Sequence, residues 1–189
     1  MTEEARSAAV GGAQRILLHL IGTEGFKNEG VRRTPERLVA ALEELTAGYR
    51  MDPKEILTRR FDADGYDEVV ALSNIRFVSL CEHHVLPFEG RAGVAYLPSN
   101  RVVGLSKLAR LVDCFARRLQ MQERMTKQIA DALATHLEPR GIAVLVEGSH
   151  TCMTHRGVGK IGSVMKTSDV RGVFRDKPEA RAEVFALLK

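Results

Sequence analysis

Apolar and polar positions alternate along this chain in two different periods, and the changes of period divide it into segments. Ala9, Ile16, Leu17 and Leu20 recur at roughly helical spacing up to Gly22. After a loop with Gly25 and Gly30, Thr34-Pro35-Glu36 reads as a helix start: Thr as N-cap, Pro in the first turn, Glu at the positive end of the dipole. Leu38, Ala41, Leu42 and Leu45 then form one face that ends near Gly48, and Asp52-Pro53 begins another short helix. Residues 1–60 therefore read as a helical N-terminal arm and residues 61–189 as the main domain, with a turn-rich boundary from Asp62 to Tyr66.

The period shortens beyond that boundary. Glu68 to Leu80 and Gly90 to Leu97 read as strands, Pro98-Ser99-Asn100 as a turn, and Val102-Val103 as a short strand. Leu108, Leu111, Val112 and Phe115 mark one helix; Met125, Ile129, Leu133 and Leu137 mark a second, stopped by Pro139-Arg140-Gly141. Ile142 to Val146 is an apolar strand that carries on towards His150 and Cys152. Ser163 to Val170 reads as a further strand, and Pro178 opens a C-terminal helix that ends at Leu188. This order predicts an α+β fold with helices on an antiparallel sheet.

Composition narrows the class. The chain has 189 residues, 44% hydrophobic and 28% charged, ordinary for a globular domain. No apolar run approaches the ~20 residues of a membrane span, and the first residues are polar, so neither a membrane location nor a secretory leader is expected. Three cysteines, an odd number, do not make a disulfide framework and suit a reducing compartment such as the cytoplasm. A net charge of +4 permits an anionic partner without naming one.

The candidate chemistry sits in four places. Cys81-Glu82-His83-His84 closes the first strand, and Cys81 and His84 are spaced to reach one metal ion. Zinc needs three or four protein ligands, so a further donor must come from elsewhere. Ser149-His150-Thr151-Cys152 supplies one. If that segment is extended, His150 and Cys152 point to the same side. Cys81, His84 and Cys152 are the expected zinc ligands, with His83 and His150 unligated beside them; the competing account is buried thiols and satisfied core histidines. Gly104-Leu105-Ser106-Lys107 opens the first long helix, where free N–H groups together with Ser106, Lys107 and Arg110 suit a phosphate. An ordinary cap with solvated cations explains the same residues. Glu123 either pairs with Lys127 four residues on or reads a base, since a carboxylate can accept two parallel hydrogen bonds from guanine.

Taken jointly, Ser79 to Gly90, Gly104 to Lys107, Gln122-Glu123-Arg124, His150 to Gly157 and Arg33 to Arg37 closely resemble GTP cyclohydrolase I in order and spacing. The resemblance implies the tunnelling fold, an antiparallel sheet with two helices on one side. It implies a homodecamer of two pentamers with active sites shared between subunits. Cys81, His84 and Cys152 match zinc ligands, His83 and His150 the acid–base pair, and Gln122 and Glu123 the guanine-binding positions. Ser106, Lys107, Arg110 and Arg156 match triphosphate contacts, and Arg37 a further basic contact. His155, Gly148 and Lys166 depart from the family pattern. The implied reaction opens the imidazole ring of GTP, releases formate and recloses to 7,8-dihydroneopterin triphosphate. Three ligands would leave a zinc position open for water, and His150 would give a proton to the imidazole nitrogens.

Two rivals are weighed. A structural-zinc module binding nucleic acid through a basic surface leaves two histidines unexplained and lacks interleaved aromatics, so a nucleic-acid partner is not expected. A zinc deaminase would carry His-x-Glu together with Cys-x-x-Cys, and the chain, which has no Cys-x-x-Cys, lacks that signature.

Overall fold

A computed structural model describes residues 2–189. The chain forms two compact units, up to Thr46 and from Ala47 onward. In the first, α1 (Glu3–Phe26) is capped by the Thr2 hydroxyl, which accepts from the Ala5 N–H, and is interrupted at Gly22, where φ is +67°. That interruption falls where the helical pattern stops in the sequence; only glycine takes such a conformation without steric cost. Then come α2 (Glu29–Arg32) and α3 (Thr34–Leu45). Thr34 does not cap α3. Its hydroxyl donates back to Gly30 O at 3.5 Å, because α2 runs almost directly into α3 through Arg33. Ala13 of α1 and Pro35 and Val39 of α3 are buried in this unit.

The second unit opens with a 3₁₀ turn, Ala47–Arg50, and α4 (Pro53–Ile56), capped by Asp52. These residues were assigned to the arm on sequence, yet they pack with the second unit: Leu57 is fully buried in its core, and a Cβ on Gly48 would fall 2.5 Å from Cys114 O. Strand β1 (Arg60–Asp62) pairs with β4 (Arg101–Val103) as a small antiparallel ribbon. The main sheet holds β2 (Val70–Cys81), β3 (Pro87–Leu97), β5 (Leu119–Gln120), β6 (Gly141–His150) and β7 (Met165–Gly172), in the order β5-β2-β3-β6-β7. All neighbours are antiparallel except the two-residue β5, which runs parallel to the end of β2.

One face of the sheet packs on α5 (Leu105–Ala116) and α6 (Gln122–Leu137). Side chains alternate along a strand, so Val94 and Tyr96 join Leu108, Leu111, Met125, Ile129 and Leu133 in this core. The opposite face takes Ala95 and Ala143, small enough for α8 (Val173–Asp176) and α9 (Pro178–Leu188) to approach through Phe174, Val184 and Leu188. The expected antiparallel sheet with two helices on one side is therefore present, and a smaller helical layer covers the other side. Helix α6 ends at Leu137 on the left-handed Glu138, just before Pro139, as the breaker residues predicted.

Register then places the chemistry. Leu80 lies opposite Pro87, and Phe88 opposite His150. Three strand ends therefore meet at one end of the sheet, and β5 brings the start of α6 to the same place.

Candidate active site

The segment after β2 is a tight turn. Cys81 O accepts from the N–H groups of both His84 and Val85, while the Cys81 N–H donates to Leu86 O and the Glu82 N–H to Gln120 O. Val85 completes the turn at φ +54°, a conformation that costs a β-branched residue energy and that the surrounding hydrogen bonds hold in place. The turn folds His84 back so that its Nδ1 lies 3.7 Å from Cys81 Sγ.

The third donor arrives from α7 (Thr151–Thr154). The segment expected to be extended is instead a helical turn. The Thr154 hydroxyl donates to His150 O and the Thr151 hydroxyl to Pro87 O, side-chain bonds that compete with a strand. Cys152 thus reaches the cluster from a helix, not by strand alternation. The ligand atoms of Cys81, His84 and Cys152 all lie within 4.8 Å of one another. Burial first, and then the neighbouring Cys81 thiol, push the Cys152 thiol above its ordinary pKa, while the positive charge of Arg156 pulls against them.

That donor set fits a zinc ion. A tetrahedral ion with Zn–S of about 2.3 Å and Zn–N of about 2.0–2.1 Å holds a sulfur and a nitrogen roughly 3.6 Å apart, close to the observed Cys81–His84 spacing. Two thiols and an imidazole converging on one point are the arrangement a dication binds.

The same cavity, of about 360 Å³, is lined by Cys81, His83, His84, Gln122, Glu123, His150 and Cys152 together with hydrophobic neighbours such as Met121 and Val164. His83 is exposed, with Nδ1 3.8 Å from Cys81 Sγ. His150 lies flat on Phe88, with ring centroids 4.3 Å apart and planes 6° from parallel. Burial lowers its pKa from the ordinary histidine value, and the Glu123 carboxylate works in the opposite direction. Glu123 is exposed at the start of α6, and Lys127 pairs with Asp131 at 2.7 Å, not with Glu123. Gln122 is fully buried. Its Nε2 donates towards Val146 O, Met165 O and Thr167 Oγ1, and its Oε1 lies 3.0 Å from His150 Nε2.

Ser106, Lys107, Arg110 and Arg156 are not among the residues that line this cavity. Helix α5 ends beside the Cys81 strand end, because Leu119, just beyond it, pairs with Leu80. Ser106, Lys107 and Arg110 are at its opposite end; Ser106 to Ala116 spans about 15 Å of helix at ~1.5 Å per residue. Arg156 follows α7 and is exposed, and Arg37 lies on α3 in the first unit. His155 is exposed, with Nδ1 2.7 Å from the Thr154 hydroxyl; Lys166 pairs with Glu147 across β6 and β7. Sequence reasoning missed the bidentate Glu82–Arg124 pair, which ties the cysteine turn to the start of α6. It also missed Phe88 as the platform for His150. Arg124 beside Glu123 and an aromatic two residues before Gly90 were visible; their partners, 42 and 62 residues away, were not.

Three convergent metal-type donors, two further histidines and a carboxylate share one cavity at the ends of a sheet, the lining of a site that could hold a metal ion beside titratable groups. The family model for GTP cyclohydrolase I matches residues 11–189. The GTP cyclohydrolase 1 of a Synechococcus strain is 48% identical over 188 residues, covering 100% of this chain and 82% of that protein. That of Wolinella succinogenes is 50% identical over 169 residues, covering 89% and 90%. Among solved structures, the archaeosine synthase QueF-Like in its apo form aligns at a TM-score of 0.48 and 18% identity, covering 57% of this chain and 96% of that one. The chain belongs to the GTP cyclohydrolase I family.

Proposed function

We propose that this chain hydrolyses GTP to 7,8-dihydroneopterin triphosphate and formate at the cavity around Cys81. The observation that carries the reading is the convergence of Cys81, His84 and Cys152 in the same cavity as His83, His150 and Glu123. Cys81, His84 and Cys152 would hold zinc, which when bound would supply the Lewis acidity that makes water nucleophilic near neutral pH. His83 does not join the mutually close set among the described residues, which supports an open, catalytic coordination position over a closed structural one.

The protein's own groups handle base, protons and charge. Glu123, next to Gln122 at the guanine end, accepts hydrogen bonds from the guanine N1–H and amino group; adenine presents an acceptor at N1 and has no 2-amino group. His150 exchanges a proton with the imidazole nitrogens as C8 is attacked by water, and His83 serves the later proton transfers around the ribose. Ser106, Lys107, Arg110 and Arg156 neutralise the triphosphate, with α5 offering its N-terminal N–H groups, and Arg37 adds a further basic contact.

The distance along α5 supports a site shared between subunits, with Ser106, Lys107 and Arg110 supplied by a neighbour. The sheet supports the same assembly. One edge of β7 is open, and β5 covers only Leu80 and Cys81 of β2, so head-to-tail strand pairing would close a ring. The assembly is a homodecamer of two pentamers, working in the cytoplasm, with neither nucleic acid nor membrane as a partner; no helix among the described residues is long and apolar enough to cross a membrane. The test is incubation with GTP and zinc, following oxidised neopterin by fluorescence and formate by direct analysis. Absence of both products from a zinc-loaded preparation contradicts the proposal.

A further inference from the structure

The side chain of Gln122, although it borders the cavity, has its polar atoms turned to the protein. It is fully buried, and every polar atom it carries is already engaged inside the protein. Two of its partners, Val146 O and Met165 O, are backbone carbonyls that only accept. The atom facing them must be the amide NH₂, which fixes the other atom, facing His150, as the carbonyl oxygen. A carbonyl oxygen also only accepts, so the His150 Nε2 it meets at 3.0 Å must carry a hydrogen.

We propose that Gln122 is a positioning residue: it holds the His150 ring in its Nε2–H form and leaves Nδ1 as the nitrogen that exchanges a proton with the substrate. Nδ1 has no hydrogen-bond partner among the described residues. Turning the ring over would put the Cε1 carbon where Nε2 now meets Gln122 Oε1, so that hydrogen bond, with the stack on Phe88, fixes which edge of the ring faces Gln122. A second glycine-dependent contact points the same way. A Cβ on Gly148 would lie 2.5 Å from Gln122 Oε1, so the absence of a side chain at position 148 makes space for the oxygen that holds His150. Gly148 departs from the family pattern as read from sequence, and this contact gives it a structural purpose.

The inference rests on the reading of His150 as the proton-transfer group, and it reassigns Gln122 from guanine contact to support. Neutron diffraction from deuterium-exchanged crystals of the zinc-loaded wild-type protein, at a pH about two units above the ordinary histidine value, reads the tautomer without any mutation. A deuteron on His150 Nε2 and none on Nδ1 is expected; a bare Nε2 overturns the proposal. Kinetics of Gln122→Met and Gly148→Ala test the consequence. Both should lower kcat about 10²-fold, the lower end of proton-transfer catalysis, with KM for GTP within about threefold of wild type. Gly148→Ala keeps every hydrogen-bonding group and displaces only the amide, so it serves if Gln122→Met fails to fold. A raised KM at unchanged kcat in either variant would return Gln122 to guanine binding and overturn the proposal. Failure of the wild-type protein to turn over GTP would instead count against the functional reading, and the neutron result would separate the two.

Discussion

The two ends of α5 make a useful contrast. Beside its C-terminus, the cavity's groups are held by contacts within the chain: the Cys81 turn is closed by four backbone hydrogen bonds, His150 is fixed by Phe88 and Gln122, and Glu82 grips Arg124. At its N-terminus, Ser106 and Arg110 stand exposed, and neither Lys107 nor Arg110 makes an ion pair among the described residues. The first end has the rigidity that positioned proton transfer and metal binding require. The second has charge without a partner, as a surface does when its ligand is held by another molecule. The difference teaches that one half of the proposed site is preorganised within the chain, while the other is the half that the proposal assigns to a neighbouring subunit.

Breaking the preorganised half should have the largest effect. Cys152→Ser removes one of the two thiolate donors, so zinc content by mass spectrometry should fall well below one per chain and GTP turnover should be lost. Full zinc occupancy in that variant would remove Cys152 from the ligand set. Glu123→Gln comes next. It swaps an acceptor oxygen for an NH₂ facing the guanine donors, and should cost roughly 30- to 1000-fold in kcat/KM, about 2–4 kcal/mol, with an unchanged melting curve. Unaltered kinetics would make Glu123 a solvated carboxylate only.

The divided site can be tested by mixing. Arg110→Ala should raise KM by about tenfold or more through a lost charge-assisted phosphate contact. Mixed oligomers of Cys152→Ser and Arg110→Ala chains should recover part of the wild-type activity, because some interfaces would join an intact metal half to an intact phosphate half. Mixtures no better than the two parents added together would place both halves in one chain. The smallest effect belongs outside both ends: Lys166→Ala removes an exposed pair with Glu147 and should change stability by less than about 1 kcal/mol, read from a denaturant midpoint, with kinetics untouched.

How much of this was legible in the sequence varied with the range of the interactions involved. Helices α5 and α6 were readable because their apolar spacing is local, and the Cys81 and His150 clusters because Cys and His two or three residues apart are rare by chance. The helical turn at Thr151–Thr154 was misread as strand. Thr151 and Thr154 carry β propensity, and the hydroxyl bonds that turn them, to Pro87 O and His150 O, depend on β3 lying alongside. The two-residue β5 has no periodicity to detect, yet it delivers α6 to the cavity. Gln122 looked like a ligand contact since nothing local says its amide will be enclosed by Val146, Met165 and Thr167, residues up to 45 positions away.

The central claim is that one cavity separates metal holding from proton transfer: Cys81, His84 and Cys152 for the first, His150 for the second. Formate release from GTP, measured beside zinc content in wild type and in His150→Ala, tests it most directly. The account predicts one zinc per chain in both proteins, formate from the wild type, and a loss of about 10²–10⁴-fold in the variant. A His150→Ala protein that releases formate within a few-fold of the wild-type rate would contradict it.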